Sequence, residues 1–306
     1  FKLILLRNLS HANKMSESAV TTANRLVSSL SLLGSLFIIV CWIRFKDLRS
    51  FAFNLVLMIG ISDFFNSFGN ILGEPASSGL CLFQALVTSY FGLASLLWSS
   101  SVSFTLFMAF IKEDERFNTR NINLMKSKYN MVCWGIPAIT TVLPALSRSY
   151  GDAYGMCWIK NETKTDNFWR IVCFYAPLWV IVIFNAFVFR KVYNKMKYMP
   201  QAEGLINKLF LYPAVLVLCW SIDTVYTIVE VFEDVSWLAV IAVLFSSLEG
   251  FFNALVYGYT KEIKERLCCN QGLEAGFDEP AASYQQGFVE RSGDENATID
   301  DQYSDI

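Results

Sequence analysis

The chain has 306 residues, of which 54% are hydrophobic and 17% are charged. Its mean hydropathy of +0.38 excludes a water-facing domain of this length and is typical of a chain whose segments face lipid and one another. The formal net charge of -2 says little by itself, so the positions of the charges carry the information.

Seven long apolar segments alternate with short polar loops along the chain. A helix needs roughly 18 to 20 residues to cross about 30 Å of hydrocarbon at about 1.5 Å per residue, and each segment is near or above that length. We therefore predict an all-α bundle of seven transmembrane helices with the two termini on opposite sides of the membrane. The predicted spans cover residues 22–43, 51–72, 82–111, 129–146, 168–192, 209–232 and 237–259.

The basic residues mark one side of this bundle. Most of the 25 Lys and Arg residues lie in the loops after spans one, three and seven and around the loop between spans five and six. Cytosolic loops carry an excess of Lys and Arg, so we predict that these loops face the cytosol, with the N-terminus outside a plasma membrane. The predicted domains are an extracellular segment, a heptahelical domain and a disordered cytoplasmic tail, at residues 1–21, 22–269 and 270–306.

Two glycosylation sequons fall on the predicted outer side. They are Asn8-Leu9-Ser10 and Asn161-Glu162-Thr163, so we expect glycans on Asn8 and Asn161. The chain begins at Phe1 and not at a methionine, so we expect that an upstream segment was removed or is missing from the sequence.

The segment after the seventh span changes character. Cys268 and Cys269 end a short amphipathic run just inside the membrane, where paired cysteines suit reversible palmitoylation. The acidic stretch from residue 270 onward has few apolar residues, which predicts disorder. Ser292 and Thr298 precede acidic residues and are candidate phosphorylation sites. The alternative is a solvated tail that carries no switch.

The other six cysteines divide by position. Cys81 at the outer end of span three and Cys157 in the second outer loop both lie where disulfides persist, so we expect a bridge between them, the alternative being two free thiols. The cysteines within the spans are expected to be small packing residues. They are Cys41, Cys133, Cys173 and Cys219.

Ionisable groups inside a bundle are costly and are therefore functional candidates. Asp63 in span two and Glu249 in span seven lie about 18 Å and about 15 Å from the cytosolic ends of their helices, so both are near the midplane. Asn253 lies one turn from Glu249 on the same face. We expect these three residues to form a polar cluster, either a switch that holds a proton or a cation or a static clasp between helices. The hydroxyls expected to complete it are those of Ser99, Ser100 or Ser246.

Span six carries two features of a moving element. Pro213 interrupts the backbone hydrogen bonds near the cytosolic end, although proline is frequent in membrane helices for other reasons. Above Trp220, a polar stripe continues at helical spacing toward the outer mouth, and the predicted ligand site faces it. The stripe is Asp223, Tyr226 and Glu230, and the opposite wall is Tyr90, Trp158, Trp169, Arg170, Tyr175 and Trp237. For each aromatic, membership of an interfacial belt is the alternative, and Arg170 can pair with a ligand anion or with a nearby carboxylate.

Several short motifs together resemble the slime-mould-type cyclic-AMP receptor family, also called class E of the G-protein-coupled receptors. The resemblance covers about residues 22–269. The motifs are Ser62-Asp63, Gly155-Met-Cys-Trp-Ile159, Phe174-Tyr-Ala-Pro-Leu-Trp179 with Asn185, Tyr212-Pro213, Cys219-Trp220 and Leu248-Glu-Gly-Phe-Phe-Asn-Ala-Leu-Val-Tyr-Gly258.

The resemblance implies a heptahelical receptor that couples an extracellular small molecule, cyclic AMP being one possibility, to a heterotrimeric G protein. It also implies the Cys81–Cys157 disulfide. The foot of span three lacks the Asp-Arg-Tyr triplet of rhodopsin-like receptors and has Lys112-Glu-Asp-Glu-Arg116 instead. We expect the basic inner loops to contact the G protein, through Arg116, Lys195 and Lys197, although basic residues there also fix topology and touch anionic lipid.

Other classes find less support in the sequence. A retinal protein needs a lysine in span seven, and residues 237–259 contain none. A transporter would show internal repeats or interrupted helices, and no repeat is evident. The one histidine, the lack of Cys/His metal spacing and the lack of a phosphate loop give no basis for an enzyme, a metal site or a cofactor. The basic clusters lie beside the membrane, which argues against nucleic acid as a partner.

Overall fold

The computed structural model describes residues 2–46, 49–73, 77–111, 122–153, 156–160, 162–196, 203–230, 236–258 and 263. Side chains are described for most of these residues, with the first described side chain at Thr21. All of them belong to one unit, Phe1–Lys264.

The described residues form nine α-helices, two π-helical segments and one β-hairpin. The helices are α1 Lys2–Arg44, α2 Phe51–Ile71, α3 Ser78–Leu106, α4 Ile122–Leu146, α5 Lys164–Arg170, α6 Ala176–Met196, α7 Glu203–Glu230, α8 Ser236–Ser247 and α9 Glu249–Gly258. The π-helical segments, Phe107–Ile111 and Ile171–Tyr175, follow α3 and α5, and the hairpin pairs β1 Tyr150–Ala153 with β2 Met156–Ile159.

Seven of these helical segments are long and apolar enough to cross a membrane, which confirms the predicted number of spans. The fifth span consists of α5, a π-helical turn and α6, and the seventh consists of α8 and α9. Large apolar side chains on the outside of the bundle, such as Leu33, Val180 and Ile183, stay exposed where lipid would contact them.

Hydroxyl side chains define where several helices begin. Ser50 accepts a hydrogen bond from the Phe53 N–H at 3.3 Å and caps α2. Ser77 does the same for α3 by accepting from the Leu80 N–H at 3.4 Å. These bonds satisfy donors that have no partner within the first turn of a helix.

The first helix is longer than the sequence suggested. The predicted span begins at residue 22, whereas α1 begins at Lys2. Residues 2–33 contain neither glycine nor proline, so nothing in this stretch interrupts the backbone hydrogen bonds once the apolar span is helical. The placement of residues 1–21 outside the membrane remains a prediction.

The seventh span was predicted as one helix, but in the structure it is interrupted. A turn at Leu248 separates α8 from α9. Immediately after it, Gly250 packs so closely on α1 and α2 that a Cβ atom there would overlap Ser31 and would lie 3.0 Å from the Asp63 Cβ. The interruption therefore lies where the seventh span packs closely against both α1 and α2, next to a predicted functional carboxylate.

Two apolar clusters fill the bundle. One surrounds Trp98 and Tyr257 and joins α1, α2, α3, α4, α6, α7 and α9. The other surrounds Leu96 and Trp220 and joins α3, the fifth span and α7. The predicted midplane carboxylates lie among buried side chains, so the polar site described next is enclosed by apolar packing.

Candidate functional site

The outer hairpin is fastened to the third helix. Asp152 pairs with Cys157 across the two strands, and a disulfide joins Cys157 to Cys81 in the first turn of α3, with the two Cα atoms 5.1 Å apart. This confirms the predicted bridge. The hairpin itself was not predicted, because four-residue strands are too short for their alternation to stand out.

A buried amide reinforces this attachment. Gln84, 1% exposed, lies one turn below Cys81 on α3. Its Nε2 donates to the Gly69 carbonyl of α2 at 3.0 Å, and its Oε1 accepts from the Cys157 N–H at 3.1 Å. One side chain thus links the second helix, the third helix and the hairpin. Gln84 was not predicted from the sequence, since a single amide in an apolar span carries no spacing signal.

The start of the hairpin is also anchored. The Tyr150 hydroxyl donates to the Thr141 carbonyl of α4 at 3.1 Å. Burial raises the pKa of Tyr150 to about 12, so the hydroxyl keeps its proton and remains a donor at physiological pH.

Four of the predicted and newly identified outer residues form one group, which we call the outer cluster: Trp158, Arg170, Phe174 and Tyr175. The Arg170 guanidinium carbon lies 5.3 Å from the Trp158 ring centroid and 5.8 Å from that of Tyr175. Its Nη2 donates to the Tyr175 hydroxyl at 3.3 Å. The Trp158 ring packs edge-on against Phe174 at 5.1 Å. The cation is therefore held against aromatic faces, an arrangement that favours contact with flat or anionic molecules.

A π-helical turn shapes this cluster. Residues Ile171–Tyr175 follow Arg170 directly and are wound with one extra residue per turn. Such turns are frequent at functional sites. The wider winding changes the direction in which Phe174 and Tyr175 leave the helix, and both rings contact Trp158.

The remaining predicted ligand residues take different positions. Asp223 lies within electrostatic reach of Tyr175, and Tyr226 lies half-buried on α7. Tyr90 lies elsewhere: its hydroxyl donates to the Trp134 carbonyl at 3.3 Å and its ring stacks on that indole at 6.1 Å. Tyr90 therefore joins α3 to α4. Glu230 ends α7, but its side chain lies outside the described part of the chain.

The two other outer tryptophans, Trp169 and Trp237, differ in their surroundings. Trp237 is 65% exposed at the start of α8, as an interfacial residue would be. Trp169 packs its ring against Phe168 at 5.1 Å.

The carboxyl cluster lies deeper in the bundle and comprises Asp63, Ser95, Glu249 and Asn253. Asn253 Nδ2 donates to Asp63 Oδ2 at 2.9 Å, and the Ser95 hydroxyl donates to Asp63 Oδ1 at 2.5 Å. Glu249 is 5% exposed and close enough to Asp63 for the two to interact electrostatically. Asp63, Glu249 and Asn253 therefore lie close together, as predicted.

The hydroxyl that completes this cluster is not one of the three expected. Ser95 binds Asp63, whereas Ser100 accepts a hydrogen bond from Asn185 at 2.7 Å and Ser246 donates to its own helix at the Ala242 carbonyl. Ser99 is buried and has no hydrogen-bond partner among the described residues. The expectation was wrong because depth counted along a helix does not give the rotation of that helix, and Ser95 is one turn nearer the outer side.

Trp220 connects the two clusters. Its ring lies 5.7 Å from that of Phe174 in the outer cluster. Its indole Nε1 donates to Glu249 Oε2 at 2.8 Å. Trp220 therefore contacts both the outer aromatic rings and the carboxyl group of Glu249.

The chemistry of the carboxyl cluster follows from what surrounds it. Within the described residues, no Lys, Arg or His pairs with Asp63 or Glu249. Glu249 Oε1 and Asn253 Oδ1 have no hydrogen-bond donor in the same part of the chain. Two uncompensated buried carboxylates are costly, so the arrangement suits one shared proton or one monovalent cation. The described residues contain no group of three His, Cys, Asp or Glu that could hold a metal ion.

A second polar clasp joins the third and fifth spans. Asn185, fully buried, donates from Nδ2 to the Ser100 hydroxyl at 2.7 Å and to the Ile181 carbonyl at 2.8 Å. Its Oδ1 accepts from the Ser103 hydroxyl. In the sequence, Asn185 is recognisable only as part of a family motif, and its hydrogen-bond partners were not predicted.

The cytosolic predictions are only partly within the described residues. Pro213 is buried inside α7, which continues through it, and Lys195 lies in the last turn of α6. Asn8 lies in α1, but its side chain is not described. The other predicted coupling and modification sites lie outside the described residues: Arg116, Asn161, Lys197, Cys268, Cys269, Ser292 and Thr298.

Comparison with known proteins agrees with this architecture. The profile of the slime mold cyclic AMP receptor family matches residues 12–275. "G-protein coupled receptor 1" of Arabidopsis thaliana is 28% identical over 82% of this chain and 81% of its own length. "Cyclic AMP receptor-like protein A" of Dictyostelium discoideum is 27% identical over 76% of this chain and 62% of its own length.

Solved structures support the fold independently of sequence. Squid rhodopsin superposes with a TM-score of 0.62 at 14% identity, covering 88% of this chain and 93% of that one. The likeness to squid rhodopsin shows the fold, and the matching family is one of receptors. The chain therefore belongs to the slime mold cyclic AMP receptor family and is a multi-pass G-protein-coupled receptor.

Proposed function

We propose that this receptor resides in the plasma membrane, binds an extracellular small molecule at the outer cluster and transmits the signal to a heterotrimeric G protein. The observation that carries the proposal is the pair of contacts made by Trp220, to Phe174 and to Glu249. A ligand that moves the outer rings would thereby alter the carboxyl cluster between α2 and α9.

The outer cluster fits an anionic or flat aromatic ligand. Arg170 supplies the positive charge, and Trp158 and Tyr175 supply the aromatic faces. Asp223 and Tyr226 would contribute polar contacts from α7, with Glu230 at the end of that helix. Cyclic AMP has both a flat base and a phosphate, and related proteins carry its name, so it is the first ligand to test.

The carboxyl cluster would act as the switch. A proton or monovalent cation shared by Asp63 and Glu249 would favour the arrangement in which α2 and α9 stay together. Rotation of Trp220 would withdraw the indole donor from Glu249 and change the affinity of the cluster for that ion. Because Pro213 and Trp220 lie on the same helix, a movement at the cluster would extend to the cytosolic end of α7.

The inner loops would contact the G protein through Arg116, Lys195 and Lys197. Charge reversal at Lys195 and Lys197 should lower G-protein activation while leaving ligand affinity unchanged in the absence of G protein. Palmitoyl groups on Cys268 and Cys269, glycans on Asn8 and Asn161, and phosphates on Ser292 and Thr298 remain predictions that intact-mass spectrometry of the purified protein can test.

The test of the signalling route is nucleotide exchange by a heterotrimeric G protein, measured with the receptor in lipid nanodiscs and a panel of small molecules that begins with cyclic AMP. Trp220→Phe keeps an aromatic ring but removes the N–H that binds Glu249. We expect it to change basal exchange several-fold. Trp98→Phe is the matched control, because the Trp98 Nε1 is buried without a hydrogen-bond partner among the described residues.

Equal basal exchange in the two variants and the wild type would remove Trp220 from the route. A receptor that activates no G protein with any ligand, while vesicles containing it show solute flux, would instead indicate a transporter.

A further inference from the structure

Three parts of the bundle meet at a single buried amide, Asn24 of α1, which is 1% exposed. Its Nδ2 donates to the Met156 sulfur of β2 at 2.7 Å. Its Oδ1 accepts from the Ser247 hydroxyl of α8 at 2.6 Å and from the Ser28 hydroxyl of its own helix at 3.3 Å. The donor end of the amide thus holds the outer hairpin, and the acceptor end holds the seventh span.

The seventh-span residue that binds Asn24 is Ser247, and its hydrogen bonding differs from that of the preceding serine. Ser246 donates to the Ala242 carbonyl of its own helix at 2.9 Å, as helical serines commonly do. Ser247 reaches across to Asn24 instead. Ser247 is the last residue of α8, directly before the turn at Leu248 and two residues before Glu249. The end of α8 is thus tied to α1 through one side-chain hydrogen bond.

The hairpin residue that binds Asn24 is Met156, which lies next to residues on the predicted ligand side. Met156 directly precedes Cys157, which carries the disulfide and the Gln84 hydrogen bond. Trp158 of the outer cluster follows. A thioether is a weak acceptor, so this bond yields before the disulfide does. The carboxamide of Asn24 is planar, so its nitrogen and oxygen move together. If the nitrogen follows a displaced Met156 sulfur, the oxygen that accepts from Ser247 also changes position.

We infer that Asn24 is a positioning residue that links the outer hairpin to the interruption in the seventh span. The inference extends the proposed function, since it gives the outer loop a second route to the carboxyl cluster, separate from Phe174 and Trp220. When the hairpin moves, Asn24 releases Ser247, and the turn before Glu249 gains freedom.

The link can be measured without a ligand or a G protein. Hydrogen–deuterium exchange is followed on the full chain in nanodiscs, in peptides that cover residues 246–252. Met156→Leu removes the sulfur acceptor at nearly constant volume. We expect it to speed exchange in that segment about twofold, the factor that the loss of a hydrogen bond at the low end of the usual range produces, because the sulfur is a weak acceptor. In the Asn24→Ala background, exchange should already be fast, and Met156→Leu should add nothing.

Ser29→Ala is the matched control, because the Ser29 hydroxyl binds only the Arg25 carbonyl of α1 among the described residues; it should leave exchange in residues 246–252 unchanged. If Asn24→Ala does not fold, Ser247→Ala takes its place and should also abolish the effect of Met156→Leu. The same acceleration by Met156→Leu in both backgrounds, or none in the wild type, would overturn the inference. Since the assay contains no G protein, either result leaves the proposed signalling function to its own test.

Discussion

The two hydrogen bonds of Gln84 allow a quantitative prediction of how strongly the outer hairpin is attached. Gln84→Leu keeps the approximate volume of the side chain and removes both of its hydrogen bonds. The Cys157 N–H then loses its hydrogen-bond acceptor, whereas the Gly69 carbonyl still accepts from the Leu72 N–H at 3.3 Å. The lost bond to the Gly69 carbonyl contributes about 1 kcal/mol net, and the orphaned Cys157 N–H costs about 1–3 kcal/mol. We therefore expect Gln84→Leu to lower the free energy of unfolding by about 2–4 kcal/mol.

The stabilisation by Gln84 can be compared with that of the Cys81–Cys157 disulfide. It closes a loop with a sequence separation of 76 residues, for which chain entropy gives at most about 4.5 kcal/mol. The value in a bilayer is lower, because spans three and four remain inserted when the rest of the structure is lost. Gln84 is thus predicted to contribute a stabilisation of the same order as the covalent bond beside it.

The assay is thermal unfolding in nanodiscs, followed by a thiol-reactive dye that labels the buried free cysteines Cys41, Cys133, Cys173 and Cys219 as they become exposed. Gln84→Leu should lower the unfolding midpoint by at least about 4 °C. Thr88→Val, one turn further along α3, is the control, since the Thr88 hydroxyl binds only carbonyls of its own helix in the described part of the chain. An unchanged midpoint for Gln84→Leu would show that the disulfide alone holds the hairpin and would refute the reasoning.

Three further predictions concern the interior of the bundle. Asp63→Asn replaces a carboxylate by an amide of similar volume, so nucleotide exchange should lose its dependence on sodium while the unfolding midpoint changes little; an unaltered salt response would reduce Asp63 to a packing role. Asn185→Ala leaves Ser100 and Ser103 without their partner and should lower the free energy of unfolding by about 1–3 kcal/mol, measured by the same dye assay, and a wild-type midpoint would contradict it. Pro213→Ala restores a backbone donor inside α7 and should change basal nucleotide exchange by shifting the balance of inactive and active states; identical basal rates would argue that the proline serves packing alone.

The features that depend on long stretches of sequence were predictable. A run of apolar residues sufficient to cross a bilayer identifies a span whatever its neighbours are, because the requirement comes from the lipid. The basic loops predict the sidedness, which remains a prediction, and they place Cys81 and Cys157 in one compartment; the structure joins these two cysteines. Depth along the helices also brought Asp63 and Glu249 to the same level.

Features that depend on helix rotation were not predictable from one sequence. Ser95 and Ser99 differ by one turn, and only the packing of α3 against α2 decides which of them meets Asp63. Gln84 and Asn24 bind partners distant in sequence, and a lone amide within an apolar span gives no indication of its partner. The π-helical turn that places Phe174 and Tyr175 likewise depends on tertiary contacts and not on a local sequence pattern.

The interruption of the seventh span lies directly beside the pair of buried carboxyl groups. In the described part of the chain, no basic side chain pairs with Asp63 or Glu249. Because α9 begins at Glu249, the positive end of the helix dipole lies next to that carboxyl group. A dipole supplies only a partial charge, so it does not compensate two buried carboxylates, and the cluster still suits one shared proton or one monovalent cation. The turn at Leu248 thus separates Ser247, which binds Asn24, from Glu249, which binds Trp220.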